Sequence, residues 1–470
     1  MAAVTLAAGL LLPWLLGMAV VLVALRIRRP PDSPGGFAWI AGIGYLVGAL
    51  LLTLWMRVLS MAGIRFGALP IALPLLVVIV AIGLHLRRRD GDAWRRAIHP
   101  ALRALVRPSS LYGGALLAWR LLLALVAVRF VVLGLDVAWQ PLYPWEAWVQ
   151  WATKARVWFE LGRIVPFAGS DAWFSAGGRA YFDAAPDVPP TLPLLQVWSC
   201  ISLDRWDDAL MNWPWWQMAV ALACAVYGAL RSLGLSALSA LVVTYLVASM
   251  PLANVHVALA GYADLPLAAY YTCAVLSFLR WVATRDTRDA AIAALLAFAC
   301  IDIKNPGLVW ALTLVPGAIV AMLPRIGLRI AATGLAAGLF LLAVVAQTST
   351  TILGYTLHLE FAPAWTALWE SYFLSGNWNL LWFGVIAAAI LAGRQLASPA
   401  LAPMTIVVAG GAIVLFTLFA FPHAAIVLAD QTTFNRASLH FAPVAMIFAA
   451  LAFRAFAVQW TRTAADGPSS

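Results

Sequence analysis

Apolar stretches of about 17 to 25 residues recur along most of the chain, the length at which a helix rising about 1.5 Å per residue crosses a hydrocarbon core of about 30 Å. Their spacing predicts helices near 4–25, 37–58, 69–86, 112–134, 214–230, 235–251, 257–281, 289–303, 307–323, 327–347, 378–393, 401–420 and 440–457. The stretch 289–323 is interrupted by Asp302, Lys304, Asn305 and Pro306. The pattern predicts an all-α integral membrane protein with about thirteen transmembrane helices. The first segment has no basic n-region and runs straight into Arg26, Arg28, Arg29 and Pro30 without a small-residue cleavage site, so it is expected to be a retained helix rather than a signal peptide.

The longest break in the apolar pattern is 135–213, which carries Trp139, Trp145, Trp148, Trp151, Trp158, Trp173, Trp198 and Trp206. A loop of this length in a membrane protein is usually functional. Within it, Pro144–Gly162 has helical spacing: Glu146, Gln150 and Lys154 recur every fourth residue on one face, and Trp148, Trp151, Ala155 and Trp158 line another. The expectation is a helix lying flat in the membrane interface, with its aromatic face toward lipid and a carboxylate at the water boundary. An ordinary interfacial aromatic belt with a solvated Glu146 is the competing reading.

Composition sharpens the class. Of the 470 residues, 64% are hydrophobic and 11% charged, against roughly 25% charged in soluble domains, which excludes water as the main solvent. Net charge +10 then reports topology. Placing Arg26–Arg29, Arg87–Arg107, Arg280–Arg288, Arg325–Arg329 and the C-terminus in the cytoplasm puts 19 of the 30 basic residues inside and 14 of the 20 acidic residues outside. This predicts an outside N-terminus, a cytoplasmic C-terminus and an extracytoplasmic 135–213 loop. The basic residues are scattered over short loops, a poor match for a nucleic-acid partner. Cys200, Cys224, Cys273 and Cys300 are too dispersed for a disulfide framework or a zinc site. Inverted repeats and charged residues at broken spans, the marks of a transporter, are not legible in the sequence.

Ionisable groups in or beside apolar segments are costly and are candidates for function. Asp264 in Gly261-Tyr262-Ala263-Asp264, Asp302 and Lys304, and Arg436 with His440 all fall on the predicted outer side. Arg129 lies within a predicted span. Each has a plainer alternative: Asp302 and Lys304 pair with each other, Arg129 snorkels, and His440 is a packing histidine. Together they describe an outward-opening polar cavity. Such a cavity suits a sugar carried on a polyprenyl phosphate, whose tail needs lipid, whose phosphate needs cations, and whose transfer to an acceptor hydroxyl needs a general base.

Four segments carry a resemblance. Tyr143–Trp148 followed by Trp151, Lys154 and Ala155 resembles the WDAW…W…KA segment of bacterial GT-C glycosyltransferases, the superfamily of protein O-mannosyltransferases and aminoarabinose transferases. Pro186–Leu195 is similar to their DYPPLxPLL, Gly261–Pro266 to GYADLP, and Lys304–Leu308 to KNEGL. The order matches over about 112–460; residues 1–111, a three-helix extension with a basic connector, have no counterpart, and 461–470 form a tail. The resemblance implies a GT-C-like fold in the plasma membrane that transfers a sugar from a polyprenyl-phosphate-linked donor to a protein, glycan or lipid acceptor. It maps the family's catalytic carboxylate onto Glu146, expected as the general base, and the acid of GYADLP onto Asp264, expected on the acceptor side. From their charge and predicted position, Lys304, Arg436, Arg129 and His440 are the candidates for the donor phosphate, and Trp145, Trp148 and Tyr262 are those for the sugar or interface. Some relatives use a divalent metal (Mg or Mn), which Glu146 with Asp264 could ligate. Glu146 stands where the family has Asp, which makes Asp136 a rival base. Val188 and Pro306 also depart from the family pattern.

Overall fold

The computed structural model describes residues 2–25, 35–90, 108–177, 179–344, 349–352, 355–358, 361, 363–421 and 432–465. The basic run Arg26–Arg29, most of the connector predicted between Arg87 and Arg107, and the last five residues of the predicted tail lie outside these.

The chain is built of helices: α1 (Ala2–Ala24), α2 (Gly36–Met61), α3 (Ala68–Asp90), α4 (Gly113–Trp139), α5 (Thr153–Leu161), α6 (Thr191–Leu203), α7 (Trp213–Ser232), α8 (Ala237–Ala248), α9 (Pro251–Ala258), α10 (Asp264–Thr284), α11 (Thr287–Ile303), α12 (Gly307–Leu312), α13 (Leu314–Met322), α14 (Gly327–Val344), α15 (Trp365–Trp369), α16 (Leu381–Ala392), α17 (Ala402–Ala420) and α18 (Thr432–Ala465). Among the described residues, strand is confined to a two-residue parallel pair, Phe167–Ala168 with Tyr181–Phe182, and an antiparallel pair, Ser349–Ile352 with Tyr355–His358.

Every one of the thirteen predicted segments is met by a helix, but thirteen spans do not follow. Among the described residues eight helices are long and apolar enough to cross a membrane, or nine if the bent pair α8 and α9 is one span. The chain is a multi-pass membrane protein. The shortfall has physical causes. Helix α8 has only 12 residues, roughly 18 Å at 1.5 Å each. Helix α7 has 20 residues, but its three tryptophans, Pro214, Gln217 and Arg231 dilute its apolar character. The predicted 307–323 segment is split into α12 and α13. Pro251 separates α8 from α9 at a 61° bend, the geometry of a broken span or a re-entrant loop, which the sequence did not disclose.

Two compact units divide the chain. The first comprises Met1–Ser249, Ala253–Arg280 and Asp286–Gly307; the second comprises Met250–Leu252, Trp281–Arg285 and Leu308–Ser470. Helices α1 to α3, expected as an extension, pack inside the first unit. Helices α1 and α2 meet through small residues: a Cβ on Gly48 would sit 1.7 Å from the Pro13 carbonyl oxygen, and one on Gly17 would sit 1.7 Å from that of Gly44. Buried polar bonds then tie this layer to the rest of the unit. The Trp198 indole donates to the Gly9 carbonyl (2.9 Å), Gln217 Nε2 to that of Leu10 (2.8 Å), and the Tyr270 hydroxyl to that of Leu46 (2.7 Å). In lipid an unmet polar group is expensive, so such bonds specify the packing.

In the second unit, α16 packs on α18 through Ala388, Ala392, Ala449 and Ala452. Tyr372 stacks between Trp382 and Phe434, at 4.4 and 5.0 Å.

Candidate functional site

The predicted amphipathic segment is helical but not as expected. Ala147–Ala152 is a π-helical turn that runs into α5. Its wider i→i+5 bonding shifts the faces that an α-helical spacing predicts. Trp151, Ala155 and Trp158 are buried within the protein rather than turned to lipid. Trp145 and Trp148 stay exposed and meet edge to face at 4.9 Å. Glu146 precedes the π turn and is half-buried.

The loop Gly261–Asp264 lies directly against this turn. Gly261 has φ +116°, a conformation open essentially to glycine, and a Cβ there would meet the Ala147 Cβ at 2.5 Å and Leu142 Cδ1 at 2.8 Å. That contact brings the residue after Glu146 into touch with the GYADLP loop. Trp215 Nε1 donates to the Tyr262 carbonyl (2.6 Å), and the half-buried Tyr262 ring lies 5.5 Å from His256.

Three residues on, Asp264 opens α10 and is fully buried. Its Oδ1 accepts from Lys304 Nζ at 2.6 Å. Lys304 caps α11 in an extended conformation (φ −157°, ψ 142°), and its side chain remains 20% exposed. The simple pairing of Asp302 with Lys304 is therefore not what forms. Asp302 binds Arg57 of α2 instead, with Nη1 to Oδ1 at 2.9 Å and Nη2 to Oδ2 at 2.6 Å. The Thr191 hydroxyl, from the Pro-rich segment, accepts from Arg57 Nη2 (2.5 Å) and donates to Asp302 Oδ2 (2.8 Å).

A second buried pair stands behind the π turn. Lys154 is 2% exposed, and its ammonium lies 2.6 Å from Asp183 Oδ2 and donates to the Ala185 carbonyl at 2.8 Å. Burial pulls the Lys154 ammonium below its usual value, opposed by the adjacent Asp183 carboxylate.

Arg129, on α4, reaches only the Ser249 carbonyl at 3.5 Å, and its buried Nε has no hydrogen-bond partner among the described residues. Asp136 is half-buried near the end of α4, with no side-chain bond or ion pair among the described residues. Arg436 and His440 belong to the second unit. There His440 is 2% exposed, and its Nδ1 accepts from the Trp310 indole at 3.0 Å.

Comparison with family models, curated proteins and solved structures finds no match.

Two further features went unread in the sequence. Of the 30 basic residues only Lys154 and Lys304 are lysine, and each ends on a buried aspartate. Arg57 is an ionisable residue inside a predicted span, the same signal that singled out Asp264. A divalent metal does not fit the pair the resemblance suggested. Lys304 already places a cation on Asp264, and no group of three His, Cys, Asp or Glu side chains among the described residues is arranged to hold one. All four cysteines are free thiols.

Proposed function

We propose that the chain is a membrane glycosyltransferase that moves a sugar from a polyprenyl-phosphate donor to an acceptor on the extracytoplasmic face of the bacterial inner membrane. What supports this reading is a convergence. The four segments that resemble GT-C enzymes are far apart in sequence, yet the turn after Glu146 packs on Gly261, Asp264 pairs with Lys304, and Thr191 bonds Asp302.

In the proposed mechanism Glu146 takes the proton from the acceptor hydroxyl as its oxygen attacks the anomeric carbon. The glycosidic carbon–oxygen bond to the lipid phosphate breaks, and the phosphate leaves with the electron pair. Lys304 stands at the partly open edge of the cluster, where its ammonium can stabilise that departing charge while Asp264 holds it in place. Trp145 and Trp148 offer exposed rings beside Glu146 for the sugar.

The test is transfer from a radiolabelled polyprenyl-phosphate sugar by the wild type and by Glu146→Gln. The expected loss is about 10²–10⁴-fold, the usual contribution of a general base. Undiminished transfer by the variant would remove Glu146 from the role. One observation favours a second reading, a transporter for an amphipathic substrate: the 61° bend between α8 and α9, with Arg129 Nη2 at 3.5 Å from the Ser249 carbonyl at the bend. Substrate flux across vesicles with no covalent product would select that reading.

A further inference from the structure

The geometry points to Arg57 as a positioning residue that reserves Lys304 for Asp264 by occupying Asp302. The effect on turnover rests on the glycosyltransferase reading; the effect on Lys304 itself does not.

Two aspartates are candidates for the Lys304 ammonium: Asp302, two residues away along the chain, and Asp264, 40 positions away and fully buried. The nearer partner costs less chain ordering and keeps both groups closer to solvent. The pair that forms is nevertheless the distant one, at 2.6 Å. Asp302 is engaged through both of its oxygens. Arg57 binds it through two nitrogens, and Thr191 adds a third bond. The proton count of this triad closes: the Thr191 oxygen accepts from Arg57 and its single hydrogen goes to Asp302. A planar guanidinium fork is suited to hold a carboxylate in this way.

The backbone agrees with the assignment. After Ile303 the chain leaves the helix at Lys304, and Gly307 N–H donates to the Lys304 carbonyl at 2.7 Å, closing a tight turn. A Cβ on Gly307 would lie 1.9 Å from the Cys300 carbonyl oxygen, so the turn is pressed against the end of α11. Lys304 thus departs from a backbone held on one side by this turn and on the other by the Arg57–Asp302 clamp. Arg57 lies in α2, which the sequence resemblance does not cover.

Wild type, Arg57→Gln, and Arg57→Gln combined with Asp302→Asn are compared as full-length protein in nanodiscs. Two readouts are taken: sugar transfer from the labelled donor, and the rate of Lys304 acylation by an amine-reactive ester at fixed pH, followed by peptide mass spectrometry. Lys154 is the chain's other lysine and serves as the internal control. In Arg57→Gln, Lys304 turns to the half-exposed Asp302, so its acylation speeds up several-fold and kcat falls by roughly 10–100-fold, as expected for a misplaced active-site group. Removing the competitor in the double variant returns both values to within a few-fold of wild type, a rescue that simple loss of a salt bridge does not predict for turnover. If Arg57→Gln does not give monodisperse protein, Arg57→Lys, which keeps the charge and loses the fork, is expected to show the same changes in smaller degree. Unchanged acylation in the Arg57 variants, or a double variant as impaired as the single one, overturns the inference. Acylation that responds and reverts while even wild type transfers no sugar would instead discard the glycosyltransferase reading and leave the role of Arg57 standing.

Discussion

Both lysines of the chain end on aspartates shut away from solvent, and single residues of this kind are where substitution is most informative. Removing one partner of a buried pair leaves a charge with no compensation, usually at about 3–5 kcal/mol, whereas replacing both with apolar groups of similar volume is often neutral. Lys154→Met is therefore expected to lower unfolding stability by about 3–5 kcal/mol, and Lys154→Met with Asp183→Leu to recover most of it, as read by denaturant unfolding in detergent. Sequence reasoning named Asp264 and Lys304 because charge beside apolar segments is costly. It could not say which acid meets which base. Asp302 stands two residues from Lys304 in the chain, and only the fold brings Arg57 to it. Asp183 was passed over because nothing in the polar 162–190 stretch distinguishes a buried aspartate from a solvated one.

At the scale of elements, the apolar periodicity located the long helices but missed α6 and said nothing of what surrounds them. Residues 191–203, counted as outer loop, form the buried helix α6, whose Leu192, Leu194, Leu195, Val197 and Cys200 are all enclosed. The segment after Glu146 was predicted helical, and it is. The π turn at Ala147–Ala152 then puts Trp151 and Trp158 into the protein, because a one-residue change in repeat rotates everything that follows. Gly261 tests how firmly this turn and the Asp264 loop are joined. Gly261→Ala introduces a Cβ 2.5 Å from that of Ala147, on a backbone at φ +116°. The expected outcome is a loss of about 1–3 kcal/mol, seen as a lower thermal unfolding midpoint, with a fall in sugar transfer at least as large as the fall in folded protein. Gly48→Val acts on a different contact, the α1–α2 seam, where there is no space for a side chain beside the Pro13 carbonyl. It is expected to lower the unfolding midpoint, and any protein that remains folded should keep the wild-type KM for donor.

For the whole molecule, the N-terminal helices belong to the unit that carries the candidate site. A chain lacking residues 1–111 would expose the faces of α6 and α7 that receive α1 and α2, and would leave Asp302 without Arg57. It is expected to aggregate on size-exclusion chromatography, and the full chain is expected to run as a single species. The proposed orientation has its own check. Cysteine placed at the exposed Phe174 should react with a membrane-impermeant maleimide in intact cells, and cysteine at the exposed Arg329 only after permeabilisation. The opposite pattern would place Glu146 in the cytoplasm and end the extracytoplasmic assignment.

The amino-acid sequence alone determined that lipid is the solvent, where the long helices run, and that ionisable residues such as Asp264 and Lys304 beside apolar segments were costly. These follow from composition and one-dimensional periodicity, to which each residue contributes independently of its distant neighbours. Only the tertiary structure decided how many helices are long and apolar enough to cross a membrane, which tryptophans face protein, and that Arg57 holds Asp302 while Lys304 holds Asp264. Those outcomes are choices among partners. An ion pair, a close glycine contact or a broken span depends on what another part of the chain brings to the same place, and spacing along the sequence carries no record of that.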